Sequence, residues 1–110
     1  MEKIKVIIKR PDEKVGHVTW ISNTLENLQR SVGGRIEVIN TGAMGVLIIC
    51  DEEGKMKHYL HNFKMGVAPF YDVVVGTVVI CGQDGEDFAD VPISLKQWRV
   101  MLECWGNKTE

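Results

Sequence analysis

The chain has 110 residues, of which 45% are hydrophobic and 25% are charged. This length and composition are typical of one soluble globular domain that buries roughly two-thirds of its unfolded surface. Thirteen Lys and Arg residues stand against fifteen Asp and Glu residues, which gives a formal net charge of −2. A charge this balanced argues against non-specific binding to nucleic acid or to an anionic membrane. No apolar run reaches the roughly 18 residues that span a bilayer, and the N-terminus shows no secretory h-region, so we expect a cytoplasmic protein.

The first third of the chain predicts β-structure followed by a short helix. Residues 4–9 form a strand-like run, and residues 15–21 indicate either a second strand or an extended approach to the helix. Asn23 is a favoured N-cap residue, and the Glu26 side chain three residues later is placed to complete a capping box. We therefore expect a helix of about nine to eleven residues that begins after Asn23.

This helix has a predicted apolar face and a predicted end. Residues spaced four, three and four apart form the face: Ile21, Leu25, Leu28 and Val32. Gly33 and Gly34 follow, and glycine readily adopts the left-handed conformation that closes a helix. Because a helix this short is not stable alone, we expect it to pack on a sheet.

Apolar and alternating runs in the middle of the chain predict that sheet. We expect three antiparallel strands at 35–40, 46–50 and 56–60, with a tight turn at 51–55 between the last two. This trio is the central assignment of the predicted fold.

The segments that follow extend the predicted sheet. A strand is expected at 72–81, paired with the strand at 4–9, and Gly76 within it indicates a bulge or a close backbone approach. Residues 61–71 and 83–90 are expected to be loops, the second of them acidic.

The C-terminal segment predicts a second helix. Ser94 and Gln97 have the spacing of a capping box. The apolar stripe of this helix consists of Leu95, Trp98, Leu102 and Trp105. Together, the elements predict a single α+β domain over residues 1–110, in which two short helices pack against an antiparallel or mixed sheet of four to six strands.

Residue types that support catalysis or metal binding form no recognisable constellation. Cys50, Cys81 and Cys104 lie far apart within apolar stretches, so we expect three buried thiols and no disulfide framework. His58 and His61 flank the end of a predicted strand, where a spacing of three places them on opposite faces and argues against a metal site. We expect a non-enzymatic protein without a metal or cofactor.

One segment combines aromatic rings with polar donors. Together with Trp20, residues 58–71 predict a small pocket in which rings stack on a planar ligand, Lys64 meets an anionic group and Asn62 contacts an amide or base edge. The predicted ligand-binding residues are Trp20, His58, His61, Asn62, Lys64 and Tyr71. The alternative interpretation is that the aromatic side chains of this region, including Phe63 and Phe70, pack in the core or at its rim.

An acidic cluster suggests a different kind of site. It consists of Asp84, Glu86, Asp87 and Asp90, and its spacing does not match a calcium-binding loop. One interpretation is a solvated loop. The other is that Asp84, Glu86 and Asp87 dock on a basic protein surface or mimic nucleic-acid phosphate.

Several motifs together resemble a known family. They are Leu-Glu-x-Leu-Gln-x-x-Val-Gly-Gly-x-Ile-Glu-Val at 25–38, Asp-Glu-Glu-Gly-Lys at 51–55, Asn62, and Val-Gly-Thr-Val-Val-Ile at 75–80. Over residues 3–90 the chain resembles a family of small proteins carried by bacteriophages, prophages and conjugative elements of Gram-positive bacteria. That family is known only as a domain of unknown function, and it supplies no catalytic or binding residues to transfer.

The resemblance implies a mobile-element protein inside a bacterial host cell, where small accessory proteins often counter host defence. Our leading hypothesis is a non-enzymatic accessory protein that sequesters a small anionic, nucleotide-like signal. One alternative is an inhibitor that binds a host nuclease or effector through the acidic loop. Another is an accessory domain with no defence role. An exposed sheet edge would also allow a homodimer.

Overall fold

The structure is a computed structural model that describes residues 2–110. This part of the chain contains two α-helices and eight β-strands. They are β1 (Lys3–Lys9), β2 (His17–Ser22), α1 (Leu25–Val32), β3 (Ile36–Asn40), β4 (Leu47–Asp51), β5 (His61–Val67), β6 (Phe70–Val75), β7 (Val78–Asp84), β8 (Asp87–Ala89) and α2 (Leu95–Cys104). The α+β class is confirmed. Within the described chain, neither helix is long and apolar enough to cross a membrane.

Six strands form one antiparallel sheet in the order β2–β1–β7–β4–β3, with β8 paired to β7. The two strands β5 and β6 form a separate antiparallel hairpin. The predicted pairing between the first strand and the segment 72–81 is confirmed where Ile7 lies opposite Ile80. The predicted neighbours 35–40 and 46–50 are confirmed as β3 and β4, with Val38 opposite Ile49.

The core lies on both faces of the six-stranded sheet. Alternation along β1 directs Ile4 and Val6 towards α1 and Ile7 towards the opposite layer. The buried residues on the α1 side are Ile4, Val6, Leu28, Val32, Leu47, Ile49, Val79 and Cys81. The opposite layer, formed by α2 and the β5–β6 hairpin, contributes residues that include Phe63, Val74, Trp98 and Leu102. Because both faces are covered, β4 is apolar along most of its length and buried throughout.

Three aromatic rings fasten α2 to the β5–β6 hairpin. The Phe63 ring stacks on Trp105, with centroids 6.1 Å apart, and meets the edge of Trp98 at 5.6 Å. Trp98 also donates its indole N–H to the carbonyl of Val15, 2.9 Å away. The aromatic pairs add stabilisation beyond that from the buried area of the rings. The predicted apolar stripe of the C-terminal helix therefore faces the hairpin.

Asn107, just beyond α2, fastens the same two elements through polar contacts. Its amide accepts from the backbone N–H of Lys64 at 3.0 Å and donates to the carbonyl of Lys64 at 2.7 Å. The side chain thus pairs with β5 much as a neighbouring strand would. At the other end of the helix, the predicted capping box is confirmed by reciprocal bonds between Ser94 and Gln97.

The predicted start of α1 is wrong by one residue. The N-cap is Thr24, whose hydroxyl accepts from the N–H of Asn27 at 3.2 Å, and no capping box forms with Glu26. Asn23 is instead bonded to the sheet: its backbone N–H donates to the carbonyl of Glu2 at 2.9 Å, and its side chain donates to the carbonyl of Phe88 at 2.9 Å. The helix has eight residues rather than nine to eleven, and Leu25, at its first position, is 58% exposed rather than part of the buried face.

The predicted third strand of the trio, at 56–60, is also wrong. Residues 52–58 form consecutive turns, and the second neighbour of β4 is β7. Asp51 organises these turns, because its carboxylate accepts from the N–H of Glu53 at 2.9 Å and from Lys57 Nζ at 2.7 Å. His58 ends the turns in the left-handed region, with φ of 59°. Bonds to the Asp51 side chain thus stabilise turns where backbone pairing between two strands was predicted.

The segment from 61 to 90 contains more strand than predicted. The expected loop 61–71 is β5 with the start of β6, and the expected strand 72–81 is divided between β6 and β7. The division falls at Gly76, which has φ of 75° and lies so close to Tyr59 that a Cβ would sit 2.6 Å from that ring. The predicted close approach is therefore confirmed. The expected loop 83–90 contains the end of β7 and all of β8.

The two most distinctive motifs of the sequence contact each other. A Cβ on Gly34 would lie 2.7 Å from the carboxylate of Asp51 and 2.5 Å from Lys57 Nζ, and a Cβ on Gly33 would lie 2.7 Å from Tyr59 Oη. Gly33 also has φ of 97° and closes α1, as predicted. The paired glycines therefore allow the end of α1 to approach the buried Asp51 carboxylate and its exposed partner Lys57.

We expect Gly34→Ala to lower the free energy of unfolding by about 2 kcal/mol, because the added methyl group displaces partners of a buried carboxylate. Urea denaturation measures this change. Gly85→Ala is the control, since a Cβ at Gly85 meets no atom within 4 Å and only its φ of 62° is strained. Equal losses for the two variants would contradict the proposed contact.

The Asp51 carboxylate also predicts a dependence of stability on pH. Burial alone would raise its pKa, but hydrogen bonds from Lys57 and from the Glu53 backbone outweigh burial and hold the pKa below its ordinary value. Its stabilising effect is therefore complete above the unfolded pKa of about 3.9 and is lost as the pH falls through the folded pKa.

We expect Asp51→Asn to destabilise the protein at pH 7 by about 2 kcal/mol, because an uncharged amide loses the charge-assisted bonds. The difference from the wild type should shrink as the pH falls below about 4, where the wild-type carboxylate becomes protonated. Urea denaturation at several pH values measures both effects, with Asp12→Asn on the exposed surface as the control. A difference that grows towards acid pH would contradict this role of Asp51.

Candidate functional site

The structure places Asn62 inside the protein rather than in a ligand pocket. Its side-chain N–H groups donate to the carbonyls of Lys9 at 2.8 Å and Gly76 at 2.7 Å, and its oxygen accepts from Lys9 Nζ at 2.6 Å. Asn62 is 8% exposed, and both of its N–H groups already have partners. The amide therefore joins β5 to the end of β1 and to Gly76, which lies between β6 and β7.

Lys9 is the buried charge that accompanies this amide, and no motif of the sequence singled it out. The side chain is 3% exposed, and its ammonium also donates to the carbonyl of Glu13 at 2.8 Å. Burial lowers the pKa of Lys9, and the nearby Glu13 carboxylate partly opposes that effect. In the sequence, Lys9 is marked only by its position at the end of an apolar run. Lysines at exposed strand ends have the same position, so the sequence does not predict that Lys9 is buried.

Lys64 and Tyr71 are the predicted ligand-binding residues that the structure brings together. They lie on adjacent strands of the β5–β6 hairpin, with Lys64 Nζ 4.6 Å from the centroid of the Tyr71 ring. Phe63, by contrast, is 1% exposed, which confirms the core-packing interpretation for that ring. Phe70 is 85% exposed near the end of the hairpin.

The other predicted residues lie elsewhere. Trp20 is 56% exposed on β2, opposite Lys5 at the far edge of the six-stranded sheet. His58 is exposed in the turns before β5, and His61 is exposed at the first position of β5. The six residues thus form no shared pocket around Asn62. Capture of a small anionic ligand remains a prediction, now for the Lys64–Tyr71 pair.

A narrow cleft of about 290 Å³ separates β6 from the β3–β4 pair. Glu37 and Cys50 line its floor, and the Cys50 thiol donates to the Glu37 carboxylate, 3.6 Å away. Lys55 and Asp72 close its rim as an ion pair at 3.3 Å. Within residues 2–110, no three His, Cys, Asp or Glu side chains are grouped closely enough to hold a metal ion.

The two buried cysteines, Cys50 and Cys81, offer little nucleophilic character. Burial and the Glu37 carboxylate raise the pKa of Cys50 to about 12, and burial alone raises the pKa of Cys81 to about 12. Both thiols are therefore protonated at neutral pH. The prediction of a buried thiol is wrong for Cys104, which is exposed on α2.

The acidic cluster forms a defined surface rather than a loose loop. Asp84 and Asp87 lie opposite each other where β7 turns into β8, and Gly85 takes the left-handed conformation of the turn, with φ of 62°. A cleft of about 560 Å³ opens beside this turn. We call the surface the acidic face and define it by five carboxylates: Glu2, Asp84, Glu86, Asp87 and Asp90.

Hydrogen bonds hold the acidic face in place without neutralising it. The carboxylate of Asp90 accepts from the N–H of Lys5 at 2.8 Å, and the backbone of Val91 bonds to the carbonyl of the same lysine. Asn23 holds β8 from the other side through the carbonyl of Phe88. Among the described residues, none of the five carboxylates forms an ion pair with a Lys, Arg or His side chain. The result is a positioned group of carboxylates without a basic partner among the described residues.

The buried contact between Asn62 and Lys9 yields a testable prediction. We expect Asn62→Ala to lower the free energy of unfolding by about 3 kcal/mol, because it leaves an ammonium group and two carbonyls without their partner. The double variant with Lys9→Met should cost less than the sum of the two single variants, since each removes the same bond. Urea denaturation of the four proteins measures this coupling. Strictly additive losses would contradict it.

Of the comparisons with known proteins, one gives a match for this chain. A family model described as "Domain of unknown function (DUF3846)" matches residues 4–103. No curated protein and no solved structure gives a significant match to the chain. The matched region contains the glycine pair of α1, the Asp51 turns, the β5–β6 hairpin and most of α2. The chain therefore belongs to this family of domains of unknown function.

Proposed function

We propose that this protein is a non-enzymatic binding protein that docks on a basic protein surface through its acidic face. The observation that carries the proposal is a group of five carboxylates at and beside the β7–β8 turn. Four of them line one cleft, and none has a basic side chain paired to it among residues 2–110. A field of one sign attracts and orients a partner of the opposite sign.

The condition of the buried thiols and of the buried Asn62 amide supports a binding role rather than a catalytic one. The buried thiols of Cys50 and Cys81 are protonated at neutral pH, and the Asn62 amide is fully engaged within the fold. A docking role needs no nucleophile or general base. It needs only a rigid surface, and β7 supplies one because its central residues are buried in the sheet.

The mobile-element setting implied by the sequence motifs narrows the partner class. Host nucleases and other defence effectors bind nucleic acid through basic surfaces. A protein that presents rigid carboxylates can occupy such a surface in place of phosphates. We therefore propose a bacterial host nuclease or effector as the partner and competition with its nucleic acid as the mechanism.

A neutralised variant tests this proposal. We expect the triple variant Asp84→Asn, Glu86→Gln, Asp87→Asn to lose at least about tenfold in affinity for the partner captured from host lysate, because three charges leave the docking surface. Raising the salt concentration should weaken wild-type binding and have less effect on the variant. Titration of the purified partner against both proteins measures these changes.

The control is a triple variant with the same change in net charge elsewhere on the surface: Asp12→Asn, Glu26→Gln and Glu110→Gln. Circular dichroism establishes that both variants fold. If the acidic-face variant binds as tightly as the wild type, or if the control loses as much affinity, docking through the acidic face is wrong.

A further inference from the structure

The edge strand β2 lacks the features that usually protect an exposed sheet edge. Within residues 2–110 it has a strand neighbour on one side only, β1. Its residues, His17–Ser22, include no Asp, Glu, Lys, Arg or Pro. Natural edge strands are commonly blunted by charged side chains or proline, and an edge without them tends to pair with another strand. The opposite edge, β3, carries Glu37 and is shorter.

The pairing of β2 with β1 defines which residues of β2 point their backbone N–H and C=O groups towards β1 and which point them towards the open edge. Asn23 donates its N–H to the carbonyl of Glu2 at 2.9 Å, and this pair continues the register in which Ser22 lies opposite Lys3. Hydrogen-bonded pairs alternate along antiparallel strands, so every second residue from Asn23 bonds to β1. The N–H and C=O groups of Val18 and Trp20 therefore point towards the open edge.

The side chains of these same two residues are exposed together. Val18 is 41% exposed and Trp20 is 56% exposed, and their alternate positions place both on one face of the sheet. Large apolar side chains beside unpaired backbone groups are the two components of a strand-pairing interface.

We propose that the protein forms a homodimer by antiparallel pairing of β2 with β2 of a second copy. With the two-fold axis at Thr19, Val18 of one copy lies opposite Trp20 of the other. Both residues point their backbone groups outwards, so each of the two symmetric pairs makes two hydrogen bonds. Each indole also packs on a β-branched side chain, which is a favourable cross-strand pair.

A second copy of the chain is the occupant that the geometry of this edge supports. The hydrogen-bonding phase and the apolar side chains of β2 are complementary to β2 itself about one axis, as an interface between identical subunits requires. β2 brings no Asp, Glu, Lys or Arg to that axis. Its terminal His17 contacts the Glu13 carboxylate at 2.8 Å, and Lys5 lies one strand away, opposite Trp20. The acidic face is not part of this interface, so the inference stands apart from the proposed function.

A charge placed on the edge tests the dimer. We expect the wild type to show a concentration-dependent dimer in sedimentation equilibrium, and Val18→Lys to raise its dissociation constant at least about 100-fold, because two ammonium groups enter the interface. Val38→Lys is the matched control, since Val38 is 44% exposed on the opposite edge strand. A wild type that stays monomeric at about 1 mM, where even a weak dimer would form, overturns the proposal. A dimer that both lysine variants weaken equally also overturns it.

A cysteine at the axis tests the register. In Thr19→Cys, the two sulfur-bearing residues would form a non-hydrogen-bonded pair with Cα atoms about 4.5 Å apart, which is within disulfide range. The exposed Cys104 is first replaced by serine, and Val38→Cys in the same background is the control. We expect oxidation to give a covalent dimer only with Thr19→Cys, and circular dichroism establishes folding. A dimer that this variant does not cross-link has a different interface.

Discussion

The amide of Asn62 connects the two layers of this fold, and the rest of the structure depends on that connection. It bonds to Lys9 at the end of β1 and to Gly76 at the break between β6 and β7. A two-stranded hairpin is at most marginally stable alone, so β5 and β6 need the sheet beneath them. The hydrogen bonds of the buried amide fix the orientation of the hairpin on the sheet as well as holding it there, because an amide with all its groups bonded fits only one orientation. The stacking of Phe63 on Trp105 then completes the layer with apolar area.

The side chains that are free to bind other molecules lie at the surface of the protein. The polar groups that lie inside are used within the fold: Asn62 with Lys9, and Asp51 with Lys57. What remains available is a positioned set of carboxylates at the β7–β8 turn and an uncharged strand at the sheet edge. Both are features of recognition. A dimer through β2 would present two acidic faces, and two linked faces bind a repeated or symmetric partner more tightly than one does.

Sequence patterns predicted the elements whose signals are local. The second capping box depends on Ser94 and Gln97 alone, and the end of α1 depends on Gly33, so both were predictable without knowledge of the fold. The start of α1 was not, because Asn23 and Thr24 are both good caps, and bonds from Asn23 to the distant carbonyls of Glu2 and Phe88 leave Thr24 as the cap. The trio of strands failed for a related reason. An apolar strand such as β4 requires two neighbours, but its sequence does not say which segment supplies the second one.

The candidate site divides in the same way. The acidic cluster was visible in the sequence, and the structure adds that strand pairing and the bonds of Asp90 and Asn23 hold it as a face. The predicted ligand pocket joined residues that are close in the chain, but alternation along β5 sends Phe63 and Lys64 to opposite sides of the hairpin. Nothing near Asn62 in the sequence indicates that its partners are Lys9 and Gly76.

By itself, the sequence determined the α+β class, the closing glycines, the second capping box and the charge of the acidic cluster, because each follows from residues within a few positions of one another. Only the tertiary structure decided which strand lies beside β4, which asparagine joins the two layers, and which edge remains open. Those outcomes depend on contacts between distant segments, such as the one between Asp51 and Gly34. The chain between two such segments closes as a loop whatever its local sequence pattern, so that pattern does not predict the contact.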